Sequence, residues 1–276
     1  MLYHLATAEK GTNVISIEPT GIRFVDIHHT DWDLHWAIQL PEGISSARGT
    51  SMTWTPIHPE WMQRSDQAWH YDWRTTQEYI DNLPDYMGES NYVIGLALKA
   101  EIEAVENELR LVLTITNESP ARLENVICDG GCLQARNEQF TDDDEVGRSR
   151  VMMGCTMVDM ATLHRTIPER VTYALDDKTY EEGGLKDWEW FWGRSSDYVD
   201  APVIVGAVSR DGAKALAIGY ENARTGSQNA DAHHCLHSRP HFGDIAPGES
   251  VTRRGYVVFG DDIEKIAADL KQRICG

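Results

Sequence analysis

The sequence predicts a mainly β protein: an antiparallel, supersandwich-like β-sandwich carrying a C-terminal helix. Two observations lead to this class. Short runs alternate apolar and polar residues, and turn-forming residues recur between those runs where a β-α-β protein would place helices. A third observation, sustained 3.6-residue periodicity in the last segment alone, sets the helix apart.

The elements follow in chain order. VISIEPTGIRFVD, from Val14 to Asp26, alternates around Pro-Thr-Gly and reads as a hairpin. Residues 93–105 form an apolar strand, Glu106 and Asn107 a turn, and Leu109, Leu111, Leu113 and Ile115 then share one strand face. APVIVGAVSR and AKALAIGYEN flank Asp211-Gly212, a pair suited to a tight primed turn. A fourth strand pair flanks Pro247-Gly248. Ile263, Ile266 and Leu270 recur at helical spacing, which predicts a helix over 261–273 capped at Asp261 and lying over a sheet edge. Segments 56–90 and 136–150 show no period and read as long loops or irregular strands. No linker interrupts residues 1–276, so one domain is expected.

Composition narrows the partners. With 25 Lys plus Arg against 44 Asp plus Glu, the formal charge is −19, which repels a phosphate backbone and argues against nucleic acid. No run approaches the roughly 18 apolar residues of a membrane span, and the N-terminal stretch lacks an export pattern. Five cysteines, an odd count in a chain of this size, fit free thiols in a cytoplasmic, reducing setting. An exposed sheet face would suit a homodimer.

The densest chemistry is HHCLHSRPHFGD, residues 233–244, where His233, His234, His237 and His241 crowd together. Imidazole titrates near neutrality and ligates metals, so the cluster suits acid/base work or a divalent ion. On a strand, His233, Cys235 and His237 would face one way and His234, Leu236 and Ser238 the other. Pro240 precludes helical zinc-ligand spacing, so a metal would need distant ligands such as His28, His29, His35 or His70. Cys128 and Cys132, at C-x3-C without a second pair, read as small buried groups. Two aromatic trios alternate: Trp69, Tyr71 and Trp73, then Trp188, Trp190 and Trp192. Such rows either stack on sugar faces or fill a core, and at least one trio is expected to be buried. No phosphate loop, Gly-x-Ser-x-Gly or His-Glu-x-x-His occurs, which removes nucleotide, α/β-hydrolase and zincin readings.

WHYDWR (69–74), LRLVLTITNES (109–119), Cys132-Leu-Gln134, SRDGAKALAIGYEN (209–222) and the segment 235–259 together resemble a group of bacterial β-sandwich proteins similar to the galactose-mutarotase type. The resemblance implies a sugar-binding sheet with histidine as acid/base. Its expected site comprises His237, His241 and His234 as catalytic groups and Trp69, Tyr71, Trp73, Arg74 and Gln134 as substrate-binding groups, Arg74 suiting a uronate carboxylate. Three readings stay open: a carbohydrate-active lyase, epimerase or hydrolase; a non-catalytic carbohydrate-binding or assembly module; and a metal-dependent enzyme using the His233–His241 cluster. The first requires His237 in a cleft beside an aromatic trio and an acid, and a His237 lying on a flat surface or sealed in the core would overturn it.

Overall fold

The computed structural model describes residues 13–20, 24–52, 60–83, 92–141, 146–182, 193–231 and 233–276. In chain order the first elements are β1 (Ile15–Thr20), β2 (Phe24–His29), β3 (Leu34–Gln39), β4 (Gly43–Ser46), β5 (Gly49–Met52), β6 (Met62–Ser65), β7 (Ala68–Arg74) and α1 (Gln77–Asp81). Next come β8 (Leu96–Val105), β9 (Glu108–Asn117), β10 (Leu123–Asp129), β11 (Cys132–Ala135), β12 (Ser149–Met153), β13 (Thr156–Asp159), β14 (Arg170–Ala174) and α2 (Asp177–Glu182). The chain finishes with β15 (Ile204–Val208), β16 (Ala215–Tyr220), β17 (Ala223–Asn229), β18 (Cys235–Ile245), β19 (Ser250–Gly260) and α3 (Ile263–Cys275).

These strands make two antiparallel sheets. The first runs β1-β2-β3-β11-β18-β10-β4-β5, with β17 beside β18 and β14 beside β17; the second runs β13-β12-β15-β16-β19-β9-β8-β7-β6. Period-2 alternation sends Trp36, Ile38, Leu133 and Leu236 of the first sheet and Leu111, Leu113, Ile218 and Phe259 of the second into one shared core. Trp36 meets Phe259 edge-on at 5.1 Å. Each such side chain, fully buried, contributes about 1.5–3 kcal/mol.

The predicted hairpins β1/β2, β8/β9 and β15/β16 are present in register. Glu106 takes φ +54° in the tight β8/β9 turn. The Asp211-Gly212 turn is looser than expected. Only Gly212 of the pair has positive φ (+72°), and Ser209 N–H donates to Lys214 O across a wider loop. The strands flanking Pro247-Gly248 do not pair: β18 lies in the first sheet, and β19 joins β16 and β9 in the second. Local turn chemistry marks a reversal without saying whether the chain changes sheet.

The C-terminal helix starts one cap later than expected, with Asp262 Oδ1 accepting from Glu264 N and Lys265 N. It covers a sheet face, not an edge. Ile266, Ala267 and Leu270 seat on Met152, Met157, Ile204, Ala215, Ala217 and Val258. Gly219 continues the small-residue row of β16, and a Cβ there would lie 3.0 Å from Ile274 and 3.4 Å from Leu270. In the described part of 56–90, residues 60–83, the strand alternative holds, with β6 and β7 followed by the short helix α1. No helix among the described residues is long and apolar enough to cross a membrane.

Candidate functional site

β18 organises the site. Its alternation sends Leu236 and Ser238 toward the sandwich interior, where Ser238 Oγ donates to Val203 O, and Cys235, His237 and Arg239 to the opposite face. Register extends that face sideways. Cys132 lies opposite both His237 and Gln39, and Gln134 lies opposite Cys235. On the other side, Ser227 lies opposite His237 and Thr172 opposite Ser227. The first sheet therefore carries a continuous row of polar side chains on the face turned away from the core.

CDGGC, residues 128–132, closes this row. β10 ends at Asp129 and β11 begins at Cys132, so Gly130 and Gly131 let the chain step between two stretches of β18. A Cβ on Gly130 would lie 2.8 Å from Pro240 and 2.9 Å from the Tyr220 ring, so only glycine fits. Tyr220 Oη locks the corner by donating to Gly130 O at 2.5 Å.

An ionic network results. Asp129 Oδ1 lies 2.9 Å from His237 Nδ1, and Arg239 Nε donates to Asp129 Oδ2 at 3.0 Å. Glu42 Oε2 sits 3.4 Å from His237 Nδ1, and Cys235 Sγ lies 3.0 Å from His237 Nε2. Gln134 Nε2 donates to Cys132 Sγ at 3.2 Å. Burial alone would raise the Asp129 pKa, but Arg239 and His237 outweigh it and hold the carboxyl at about 2. Burial alone would lower His237, and the Asp129 charge overcomes it to push the imidazole well above its ordinary value. His237 is therefore an imidazolium at neutral pH. A hydrogen bond with Cys235 together with burial pushes the Cys132 thiol up, so it stays protonated.

Exposure is graded across the network. The His237 side chain is 0 % exposed, while those of Asp129 and Glu42 are 16 % and 25 % exposed. The carboxylates, not the imidazole, meet solvent. Three fully buried hydroxyls on the same sheet, Thr172, Thr225 and Ser227, have no hydrogen-bond partner among the described residues.

The other expected site residues disperse. His241 is buried on β18, about 13 Å beyond His237 at strand rise. Burial, with Arg224 and Arg253 nearby, lowers its pKa to about 3, so it stays neutral. His234 precedes the strand with φ +46° and lines a small inter-sheet cavity with Trp36, Leu133 and Gln228, on the core side. His233 is exposed outside the strand. These histidines cannot share one substrate atom.

Of the two uses open to an aromatic trio, core filling and sugar stacking, the described one takes the first. Trp69, Tyr71 and Trp73 alternate on β7 as predicted, yet β7 belongs to the second sheet and the trio faces the core. Tyr71 is fully buried with its hydroxyl donating to Leu40 O at 2.5 Å, and Trp73 packs edge-on against Tyr79 at 4.9 Å. Tyr71 and Trp73 fill the interior, and Trp69 packs partly buried against the same core. Arg74 points to solvent and pairs with Glu118, remote from His237. Trp188, Trp190 and Trp192 lie outside the described residues. Gln134 alone of the expected binding set lies beside His237.

Metal-ligating groups assemble differently from expectation as well. His28 stacks on His35 at 4.3 Å with Asp33 beside it, His29 stacks on Trp32, and His70 lies on β7. None joins the β18 cluster. Cys128 points into the core and Cys132 to the polar face, so C-x3-C is not a ligand pair. Among the described residues, three sets place their ligand atoms within 4.8 Å of one another: Cys132, Cys235 and His237; Glu42, Asp129 and His237; and, apart from β18, His28, Asp33 and His35.

Sequence reasoning missed Glu42, Asp129, Arg239 and the meeting of Cys132 with Cys235. For Arg239 a signal was present, since Cys235, His237 and Arg239 alternate on one strand. Nothing local ties Glu42 or Asp129 to them.

No protein-family model matches the chain, and no curated protein matches it. Solved structures do. A galactose mutarotase related enzyme from Lactobacillus acidophilus superposes with a TM-score of 0.50 at 8 % identity, over 89 % of this chain and 96 % of that one. A protein of Synechocystis sp. PCC 6803 superposes with a TM-score of 0.50 at 9 % identity, over 95 % of this chain and 100 % of that one. With two antiparallel sheets sharing one core, and a match over nearly the whole of both chains, this protein has the sandwich fold of the galactose-mutarotase-type proteins.

Proposed function

We propose that the protein is a carbohydrate-active enzyme that binds a small neutral sugar against the polar face of the first sheet and performs proton transfer on it. The observation that carries the reading is the Glu42–Asp129–His237–Arg239 network, which presents two carboxylates to solvent over two buried cations. The fold shared with a galactose mutarotase related enzyme supports the substrate class. With His237 fully buried and the Trp69-Tyr71-Trp73 trio packed against the core on the other sheet, the expected histidine acid/base form of this reading fails. In the form proposed here, His237 does not exchange protons with substrate. Its Nδ1 faces carboxylates and its Nε2 faces Cys235 Sγ, so the imidazolium fixes the carboxylates instead. Asp129, held ionised, accepts hydrogen bonds from sugar hydroxyls. Glu42, the more exposed carboxylate, takes the anomeric hydroxyl proton as the C1–O5 bond breaks and solvent water protonates the ring oxygen. The reverse steps, after rotation about C1–C2, close the ring as either anomer. The network matches its own charges, leaving no spare cation for a uronate, and the −19 surface disfavours an anionic substrate further. Five cysteines, an odd count in a chain of this size, favour a reducing compartment such as the cytoplasm.

Anomeric exchange of freshly dissolved aldoses, followed by NMR beside the Glu42→Gln variant, tests the proposal. Catalysed exchange that falls about a hundredfold or more in the variant supports it. The complete burial of His237 favours a second reading, a non-catalytic sugar-binding module. Saturable sugar binding by calorimetry without exchange would establish that reading instead.

A further inference from the structure

The thiol side of His237 has a chemistry of its own. Cys132 opens β11 and Cys235 opens β18, diagonal neighbours across one antiparallel pair, and His237 lies directly opposite Cys132. All three are buried, and their ligand atoms lie within 4.8 Å of one another. Tetrahedral zinc with its usual Zn–S and Zn–N bonds places such atoms about 3.5–3.8 Å apart, so small side-chain adjustments close the set. We propose that Cys132, Cys235 and His237 form a binding site for a thiophilic divalent ion, zinc in the first instance, with the fourth position left to an exogenous ligand.

Three features favour an ion over three idle side chains. Asp129 holds His237 Nδ1, which directs Nε2 at the two sulfurs; a carboxylate behind a ligating histidine is the usual support of a metal site. Gln134 Nε2 donates to Cys132 Sγ, a contact that strengthens when the sulfur is a thiolate. Two thiolates and a neutral imidazole would cancel the charge of a divalent ion, which suits a buried position. Binding displaces one proton from each thiol and one from His237 Nε2, and no redox change occurs. The ligands are a residue pair and a histidine that no local motif brings together.

The inference shares His237 with the sugar reading, in which a bound ion would take the place of the imidazolium proton. It is tested apart from that reading, because its readouts are metal content and cobalt spectroscopy, not turnover. Full-length protein purified without chelator is analysed for metals by inductively coupled plasma mass spectrometry. The same protein, reduced and stripped, is then titrated with cobalt(II). The expected result is one equivalent of bound metal and a thiolate-to-cobalt charge-transfer band with tetrahedral ligand-field bands. Cys132→Ser and Cys235→Ser should each lose the charge-transfer intensity by about half or more, while Cys128→Ser, whose sulfur faces the core, should keep it. The wild-type titration stands even if a serine variant misfolds. Absence of both stoichiometric metal and the cobalt band in reduced wild-type protein would overturn the proposal. So would a Cys132–Cys235 disulfide recovered by peptide mass spectrometry from protein isolated under thiol-blocking conditions, since it would make the pair a redox couple.

Discussion

On the outer face of the second sheet, α3 lays Ile266, Ala267 and Leu270 onto small and apolar side chains of β12, β13, β15, β16 and β19. On the corresponding face of the first sheet, the buried side chains include Cys132, Gln134, Cys235, His237 and Arg239, with carboxylates paired to His237 and Arg239. Both rows exclude water. The first gains stability from apolar area alone, and any residue of the right size would serve. The second must satisfy every charge it buries, so its residues are interdependent, and chemistry can reside there.

Removing a charge should separate the two faces most sharply. Asp129→Asn leaves Arg239 without its carboxylate partner and His237 with Glu42 alone, and should cost about 3–5 kcal/mol in urea unfolding. A cost below about 1 kcal/mol would mean that the polar face behaves like ordinary surface. Leu270→Ala should cost about 2–4 kcal/mol through a cavity under α3, yet leave metal content and sugar exchange unchanged. If it altered either readout, the faces would be coupled.

The pH dependence sharpens the contrast within β18 itself. Native His241 stays neutral down to a pKa of about 3, whereas in the unfolded chain it titrates near its ordinary 6.5. Below pH 6.5 the unfolded state therefore binds the extra proton, and stability falls as pH drops toward 3, by at most about 1.4 kcal/mol per pH unit. His241→Gln should flatten that limb of a stability-versus-pH curve; an unchanged slope would show that His241 is protonated in the fold. The smallest effect should come from Arg74→Ala, which breaks an exposed pair with Glu118 and should shift stability by less than about 1 kcal/mol and sugar exchange not at all. A clear loss of exchange would return Arg74 to the site.

Much of the fold was legible locally. Leu109, Leu111, Leu113 and Ile115 announce their strand, and Ile263, Ile266 and Leu270 announce the helix, because burial on one side imprints a period of 2 or 3.6 on the sequence. The same alternation assigned Cys235 and His237 to one face and Leu236 and Ser238 to the other. It could not separate a core stripe from a binding stripe in Trp69, Tyr71 and Trp73, since both demand the same spacing.

By itself, then, the amino-acid order determined the strand class, most hairpins, the terminal helix and the two faces of β18. Only the tertiary structure decided that β10, β11 and β18 would converge, setting Asp129 on one nitrogen of His237 and Cys235 on the other. It also decided that β19 would leave β18 for the opposite sheet. The physical reason is range: side-chain direction is fixed by a residue's own backbone, whereas the neighbour across a sheet is chosen by packing among strands more than a hundred residues apart.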